Sequence, residues 1–383
     1  MTIAQRLAPF GETIFTEITR MAVKHQAVNL GQGFPNFDGP AFVKDAAIDA
    51  IRAGHNQYAR MYGVPDLNRA VAERFRLDSG LTVDGETEVT ITSGCTEALP
   101  ATLLGLVNPG DEVILFEPFY DSYPACAAFA GATVRVVTLR PPDFGFDERE
   151  LRRAFTDRTR AIVVNTPHNP TGKVFSRGEM ELIAQLCMKH DAIAITDEVY
   201  ERIIFEGEHV RMAALDGMRE RTVTLSSLGK TFSLTGWKIG WAIAPPALTK
   251  GVRAAHQFLT FATATPLQHG AVAALNAPQS YYDALLAMYR AKRDLLCDGL
   301  ARVGFRVHKP RGTYFAYVDH TPFGFADDVS FCRHLIEHIG VAAIPPSVFY
   351  VNREEGRTLV RFAFCKDDAT LREAIGRMAR LVG

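Results

Sequence analysis

The chain has 383 residues, a formal net charge of −1, 47% hydrophobic and 22% charged residues, and this ordinary globular mix supports a multilayer core in two domains. The neutral balance, with Lys and Arg scattered rather than blocked, gives no electrostatic reason to expect a nucleic-acid or membrane-surface partner. The six cysteines are isolated, no run approaches the ~20 apolar residues of a membrane span, and Met1 to Phe10 lacks a signal-peptide pattern, so the expectation is a cytoplasmic protein with reduced thiols and no metal.

In chain order, Val89–Thr92 reads as a strand followed by Ser-Gly and a helix over Thr96–Val107. Asp111–Phe116, Val134–Leu139 and Ala161–Asn165 are further β-branched runs, and a helical stretch covers Glu179–His190. Ala192–Thr196, Thr222–Ser226 and Ile239–Ala244 again read as buried strands. Apolar runs of this length between helices predict an α/β domain, a parallel sheet covered on both faces, over about residues 46–280. Ligands of such sheets sit at the carboxyl ends of the strands. Beyond Ser280 a charged helix, about Tyr282–Val303, leads into Phe305–Val307, Tyr314–Val318, a helix near Asp328–Ile339 and Thr358–Phe364. That mix predicts a smaller α+β domain over 281–383, against which the Gly-, Pro- and Phe-rich residues 1–45 pack.

Four segments carry chemistry, and each falls at a predicted strand end. Ser226-Ser-Leu-Gly-Lys230-Thr-Phe-Ser-Leu-Thr-Gly-Trp-Lys238 places Lys230 in a Ser/Gly/Thr loop, where a lysine can form a Schiff base with a carbonyl such as that of pyridoxal phosphate. A surface lysine in a turn is the plainer reading of that residue alone. Ile193-Ala-Ile-Thr-Asp197-Glu-Val-Tyr200 puts an acid at the end of a buried strand, placed either to protonate a pyridine nitrogen or to cap the next helix. Val164-Asn-Thr-Pro-His-Asn169-Pro-Thr-Gly-Lys173 is a turn whose Asn169 amide can donate to a phenolate oxygen. Thr92-Ser-Gly94-Cys95-Thr96-Glu97 joins strand to helix, and its free N–H groups favour a phosphate, or only a Ser/Thr cap.

Taken together and in this order, these segments resemble the class I/II aminotransferases, the fold-type I pyridoxal-phosphate (PLP) enzymes. The likeness runs from Asn29-Leu-Gly-Gln-Gly-Phe-Pro35 to Val360-Arg-Phe-Ala-Phe364 and is closest to the branch of kynurenine, glutamine and methionine aminotransferases. It implies that Lys230 carries the cofactor and acts as general base, that Asp197 pairs with the pyridine nitrogen, and that Asn169 and Tyr200 hydrogen-bond the phenolic oxygen. It implies a phosphate cup from the backbone of Gly94, Cys95 and Thr96 with Ser227 and Lys238, and a Tyr120 ring stacked on the cofactor. Arg361 matches the arginine that grips the substrate carboxylate in a two-bond fork, and an edge-strand arginine facing water is the plainer alternative. Gly33 borders the substrate, and Tyr58 reaches the phosphate of a neighbouring subunit, which implies a homodimer with shared sites.

Phe15, Phe34, Tyr58 and Phe261 match pocket positions of the family and suggest an apolar, aromatic, thioether or glutamine side chain on the amino acid; each also reads as packing. No second arginine for a dicarboxylate can be placed. The implied reaction passes an amino group to a 2-oxo acid by ping-pong kinetics. Two departures stand out: Cys95 replaces the family's usual Ala, Ser or Gly, and Ala262 follows Phe261 where the kynurenine branch has histidine. The rival on the same residues is a carbon–sulfur β-lyase acting on cysteine conjugates, or a cyclopropane-forming synthase. A cofactor-sensing DNA-binding regulator is disfavoured, since the motifs begin by Asn29. The resemblance also marks Glu117–Pro118 and Asn169–Pro170 as candidates for cis peptide bonds.

Overall fold

The computed structural model describes residues 3–382; the first two residues of the Met1–Phe10 start and the last residue of the chain lie outside it. In chain order the strands are β1 (Val28–Asn29), β2 (Val89–Thr92), β3 (Glu112–Glu117), β4 (Thr133–Thr138), β5 (Thr159–Asn165), β6 (Ile193–Asp197), β7 (Thr222–Ser227), β8 (Gly240–Ile243), β9 (Arg306–His308), β10 (Phe315–Asp319), β11 (Val341–Ala342) and β12 (Leu359–Ala363). Seven of them form one sheet in the order β2-β8-β7-β6-β5-β3-β4.

The sheet is mostly parallel, as expected, because its strands are joined by helices that cross its faces. Every residue of β2, β3, β6 and β8 is buried, which is why they read as unbroken apolar runs. One strand departs from the parallel expectation. β8 runs antiparallel to both β7 and β2. The link from β7 to β8 holds only one helical turn, Leu228–Thr231, and a short 3-10 turn, too little to carry the chain across a face and back. The reversal has a consequence for the site: β8 starts at the edge where β2 and β7 end, with Gly240 opposite Ser227 and Thr92, so Lys238 arrives at that edge just before it.

β9, β10 and β12 form a separate antiparallel sheet, with Tyr317 opposite Arg361. The helix Gln279–Val303 packs against it, and the Asp328–Ile339 segment is an α-helix, Asp328–His334, ending in a π turn. β1 pairs in parallel with β11, and the chain beyond it lies along β12 through the Ala363 N–H to Leu30 carbonyl bond of 2.7 Å. The residues up to about Phe34 pack beside β11 and β12, whereas the helix Ala41–Arg52 packs on Thr265–Leu275 beside the large sheet. The bonds before Pro118 and Pro170 are cis, as are those before Pro142 and Pro167.

Candidate active site

The carboxyl edge of the large sheet and the β10–β12 sheet enclose a cavity of about 270 Å³. Each wall is set by a strand end. β7 runs directly into the helical turn that bears Lys230, whose Nζ lies 3.4 Å from the Gly33 carbonyl and over the faces of Tyr200 and Tyr314. Burial lowers the pKa of this amine, although the Cys365 thiol and Asp197 act the other way. Asp197 closes β6. Its Oδ2 accepts the Tyr123 hydroxyl at 2.8 Å and its Oδ1 the Val199 N–H at 3.3 Å. Burial raises the pKa of this carboxyl, and the Tyr123 and Val199 hydrogen bonds oppose that rise.

Asn165 ends β5 and ties the neighbouring turn together. Its amide donates to the Asp197 carbonyl at 2.8 Å, and its Oδ1 accepts the Asn169 N–H at 2.6 Å. At the end of β2, Gly94 takes φ +71° and starts the helix Cys95–Leu106. A side chain on Gly240 of β8 would stand 2.6 Å from the Gly94 backbone, so two glycines let these strands close on each other. The N–H groups of Cys95 and Thr96 lie in the first helical turn, where no intrahelical acceptor exists. The Lys238 ammonium reaches the Thr96 hydroxyl at 2.8 Å beside them.

Arg361 comes from β12 and is 2% exposed. Its Nη2 donates to the Gly31 carbonyl at 2.7 Å and its Nη1 to Asn169 Oδ1 at 3.3 Å. Phe315 and Phe15 lie against the guanidinium at 4.4 and 5.1 Å. Its Nε is buried with no acceptor among the described residues, and no carboxylate there pairs with it. A buried guanidinium left this way costs several kcal/mol unless an anion arrives, on the order of the penalty for an unpaired internal charge.

Lys230, Asp197, Tyr200, Asn169, Gly94, Cys95, Thr96, Tyr120, Ser227, Lys238, Gly33, Arg361, Phe15 and Phe34 all line this cavity. Tyr58 and Phe261 do not. Tyr58 is 85% exposed, and its ring packs edge-on against Phe261 at 5.5 Å on the outer surface. Sequence reasoning passed over Tyr123, Asn165, Gln32 and Phe315, which also line the cavity. Tyr123, in the first turn of Ser122–Phe129, packs edge-on against the Tyr120 ring at 5.8 Å, and both line the cavity.

Pyridoxal phosphate fits this set of groups. Lys230, Asp197, Lys238 and Arg361 all face the cavity, and none has an ion-pair partner among the described residues. An aldehyde for the amine, a protonated ring nitrogen for the carboxylate, a phosphate for the helix start and a carboxylate for the arginine would satisfy all four.

The fold and the site define a pyridoxal-phosphate-dependent aminotransferase. The family model "Aminotransferase class I and II" matches residues 25–378, and the chain belongs to that family. It is similar to the solved N-succinyldiaminopimelate aminotransferase of Mycobacterium tuberculosis, with 48% identity, full coverage of both chains and a TM-score of 0.97. The methionine aminotransferase of Escherichia coli is 40% identical over 98% of this chain and 97% of its own. The kynurenine–oxoglutarate transaminase of Dictyostelium discoideum is 38% identical over 99% of this chain and 96% of its own.

Proposed function

We propose that this aminotransferase takes its amino group from an L-amino acid with an apolar, aromatic, thioether or glutamine side chain and passes it to a 2-oxo acid by a ping-pong mechanism. The observation that carries the reading is the buried Arg361 guanidinium, whose Nε has no acceptor and which pairs with no carboxylate among the described residues, in a cavity that Phe15, Phe34 and Phe315 also line. Arg361 is the one arginine in that lining among the described residues, which leaves a substrate's far end facing aromatic carbon.

When bound, pyridoxal phosphate supplies the electron sink for the carbon that loses its proton. Asp197 would hold the ring nitrogen protonated, while Asn169 and Tyr200 would donate to the phenolic oxygen. The free N–H groups of Cys95 and Thr96 would hold the phosphate, with Ser227 and Lys238, while the Gly94 N–H is held by the Thr92 carbonyl at 2.8 Å; Tyr120 would lie on the ring. Arg361 would fix the substrate carboxylate against the Gly33 backbone. Lys230 Nζ would then carry the Cα proton, and burial favours the neutral amine that this needs.

A second reading has its own support. The M. tuberculosis relative bears the name of N-succinyldiaminopimelate, at 48% identity over the full chain. Oxo-acid formation from a panel holding methionine, phenylalanine, glutamine, kynurenine and N-succinyldiaminopimelate decides between them, with Lys230→Ala as control. Methionine or an aromatic amino acid should turn over fastest, with 2-oxo-acid dependence, and Lys230→Ala should lose at least ~10³-fold in kcat. Preference for the succinylated substrate overturns the apolar assignment. Pyruvate and ammonia from a cysteine conjugate without an acceptor would mark a β-lyase instead.

The working unit is proposed as a homodimer in which Tyr58 serves the partner's phosphate. Tyr58, Phe258, Leu259 and Phe261 leave a large apolar surface uncovered in one chain, which supports that reading. A cytoplasmic location is supported by six cysteines that are all unpaired. The proposed domains are 1–45 with 281–383 around the small sheet and 46–280 around the large one.

A further inference from the structure

Behind the turn that starts the helix Cys95–Leu106 lies a buried histidine that the chemistry above does not use. His256 belongs to the helix Pro246–Leu259 and is fully buried. Its Nε2 lies 2.7 Å from the Met61 carbonyl oxygen, and its Nδ1 lies 2.9 Å from Glu97 Oε1. A carbonyl can only accept, so Nε2 carries a proton. A carboxylate also accepts, so Nδ1 carries one too, and the ring is an imidazolium. Glu97 is itself tied to the turn, because its Oε2 accepts the Ser93 N–H at 2.9 Å.

The arrangement poses an electrostatic problem and answers it. Glu97 holds Ser93 in place just ahead of Gly94, yet it brings a carboxylate within a few residues of the anion that the free Cys95 and Thr96 N–H groups would take. Two like charges at one turn repel each other. We infer that His256 is a positioning residue of the phosphate-binding turn: as an imidazolium it cancels the charge of Glu97 while leaving the Glu97–Ser93 hydrogen bond intact. The balance of local effects agrees with the geometry. Burial alone would lower the pKa of His256, but the Glu97 hydrogen bond and charge, with the Met61 carbonyl, leave it raised. Through Met61 the same ring also fixes the stretch that carries Tyr58, three residues earlier.

The inference rests on the reading of Gly94–Thr96 and Lys238 as the phosphate site, and the experiment separates the two. Full-length protein is dialysed to equilibrium against graded pyridoxal phosphate, and separately against pyridoxal, which keeps the ring and aldehyde but has no phosphate. His256→Gln should weaken pyridoxal phosphate about tenfold and leave pyridoxal within about twofold of wild type. Glu97→Gln keeps an acceptor for Ser93 without the charge, so it should bind pyridoxal phosphate much as wild type does. Added to His256→Gln, it should restore most of the loss. Equal weakening of both ligands, or a double variant no better than His256→Gln, overturns the inference. Should His256→Gln fail to fold, Glu97→Gln alone decides, and a loss confined to pyridoxal phosphate counts against charge cancellation. Lys238→Ala tests the underlying site: if it loses nothing selective for the phosphate, the phosphate site is misplaced, whatever His256 does.

Discussion

At the scale of single residues, the turn from Thr166 to Lys173 is held by a histidine rather than by its prolines alone. His168 is 1% exposed, its Nδ1 sits 2.8 Å from the Thr171 hydroxyl, and its backbone exchanges bonds with Gly172 and Lys173. Burial, helped by the Lys173 charge, lowers its pKa to about 3 from 6.5. The unfolded chain takes up a proton below the ordinary value, whereas the folded chain resists until near the lowered one. The unfolded state therefore binds more protons in that window, and stability falls as pH drops through it. Between pH 7 and pH 4.5 the wild type should lose roughly 2–3 kcal/mol more than His168→Gln, at 1.36 kcal/mol per pH unit below the ordinary value. Urea midpoints at the two pH values, with cofactor saturating, check this. Parallel slopes in the two proteins would mean that the ring is not held neutral.

At the scale of elements, the residues just past β6 are pinned from behind. Glu198, fully buried, accepts from Arg211, from His209 Nε2 at 2.7 Å and from the Thr196 hydroxyl at 2.9 Å. Arg211 also pairs with Glu201 and lies 3.5 Å from Asp78, which is bound by Arg74 and Arg202. This network joins the helix Pro65–Ser79 to the segment that displays Asp197 and Tyr200 on its other side. Arg211→Leu strips Glu198 of its main partner and should cost about 3–5 kcal/mol, whereas Arg20→Leu at the exposed Glu12 pair should change stability little. Thermal unfolding of both variants measures the contrast, and similar losses would refute it. The network also marks where sequence reading stops. Asp197 and Arg361 were legible because each is a charge that closes or interrupts an apolar strand. Glu198 and Arg211 have no such frame, and only folding brings them to Asp78. The strand runs themselves were legible from burial on both faces, but the direction of β8 was not, since an apolar run carries no sign of which way it points. Helices such as Ala41–Arg52 and Thr265–Leu275 escaped because they meet each other across more than 200 residues.

At the scale of the whole molecule, the positions that one chain leaves unexplained gather on one face. Phe258 and Tyr58 are each 85% exposed, and Leu259 and Phe261 are about half exposed beside them. A monomer would hold these apolar side chains in water at a cost of roughly 1.5–3 kcal/mol apiece relative to burial. The Tyr58 stretch is nonetheless well anchored from within. The Thr265 hydroxyl donates to the Gln57 carbonyl at 2.7 Å, and His256 holds Met61. This anchoring, outside its own chain's cavity, supports the proposal that Tyr58 acts in a second chain's site. Sedimentation at micromolar concentration should therefore give twice the 42.2 kDa of one chain. Phe258→Asp, which sets a charge into that face, should shift the protein toward the single-chain mass. On the proposed reading it should also weaken pyridoxal phosphate, because Tyr58 would no longer reach a second chain's site. Tyr58→Phe should keep the dimer and weaken the cofactor without changing the mass. A wild type that sediments as one chain and still binds the cofactor tightly would place the whole phosphate site within a single chain and remove the need for Tyr58.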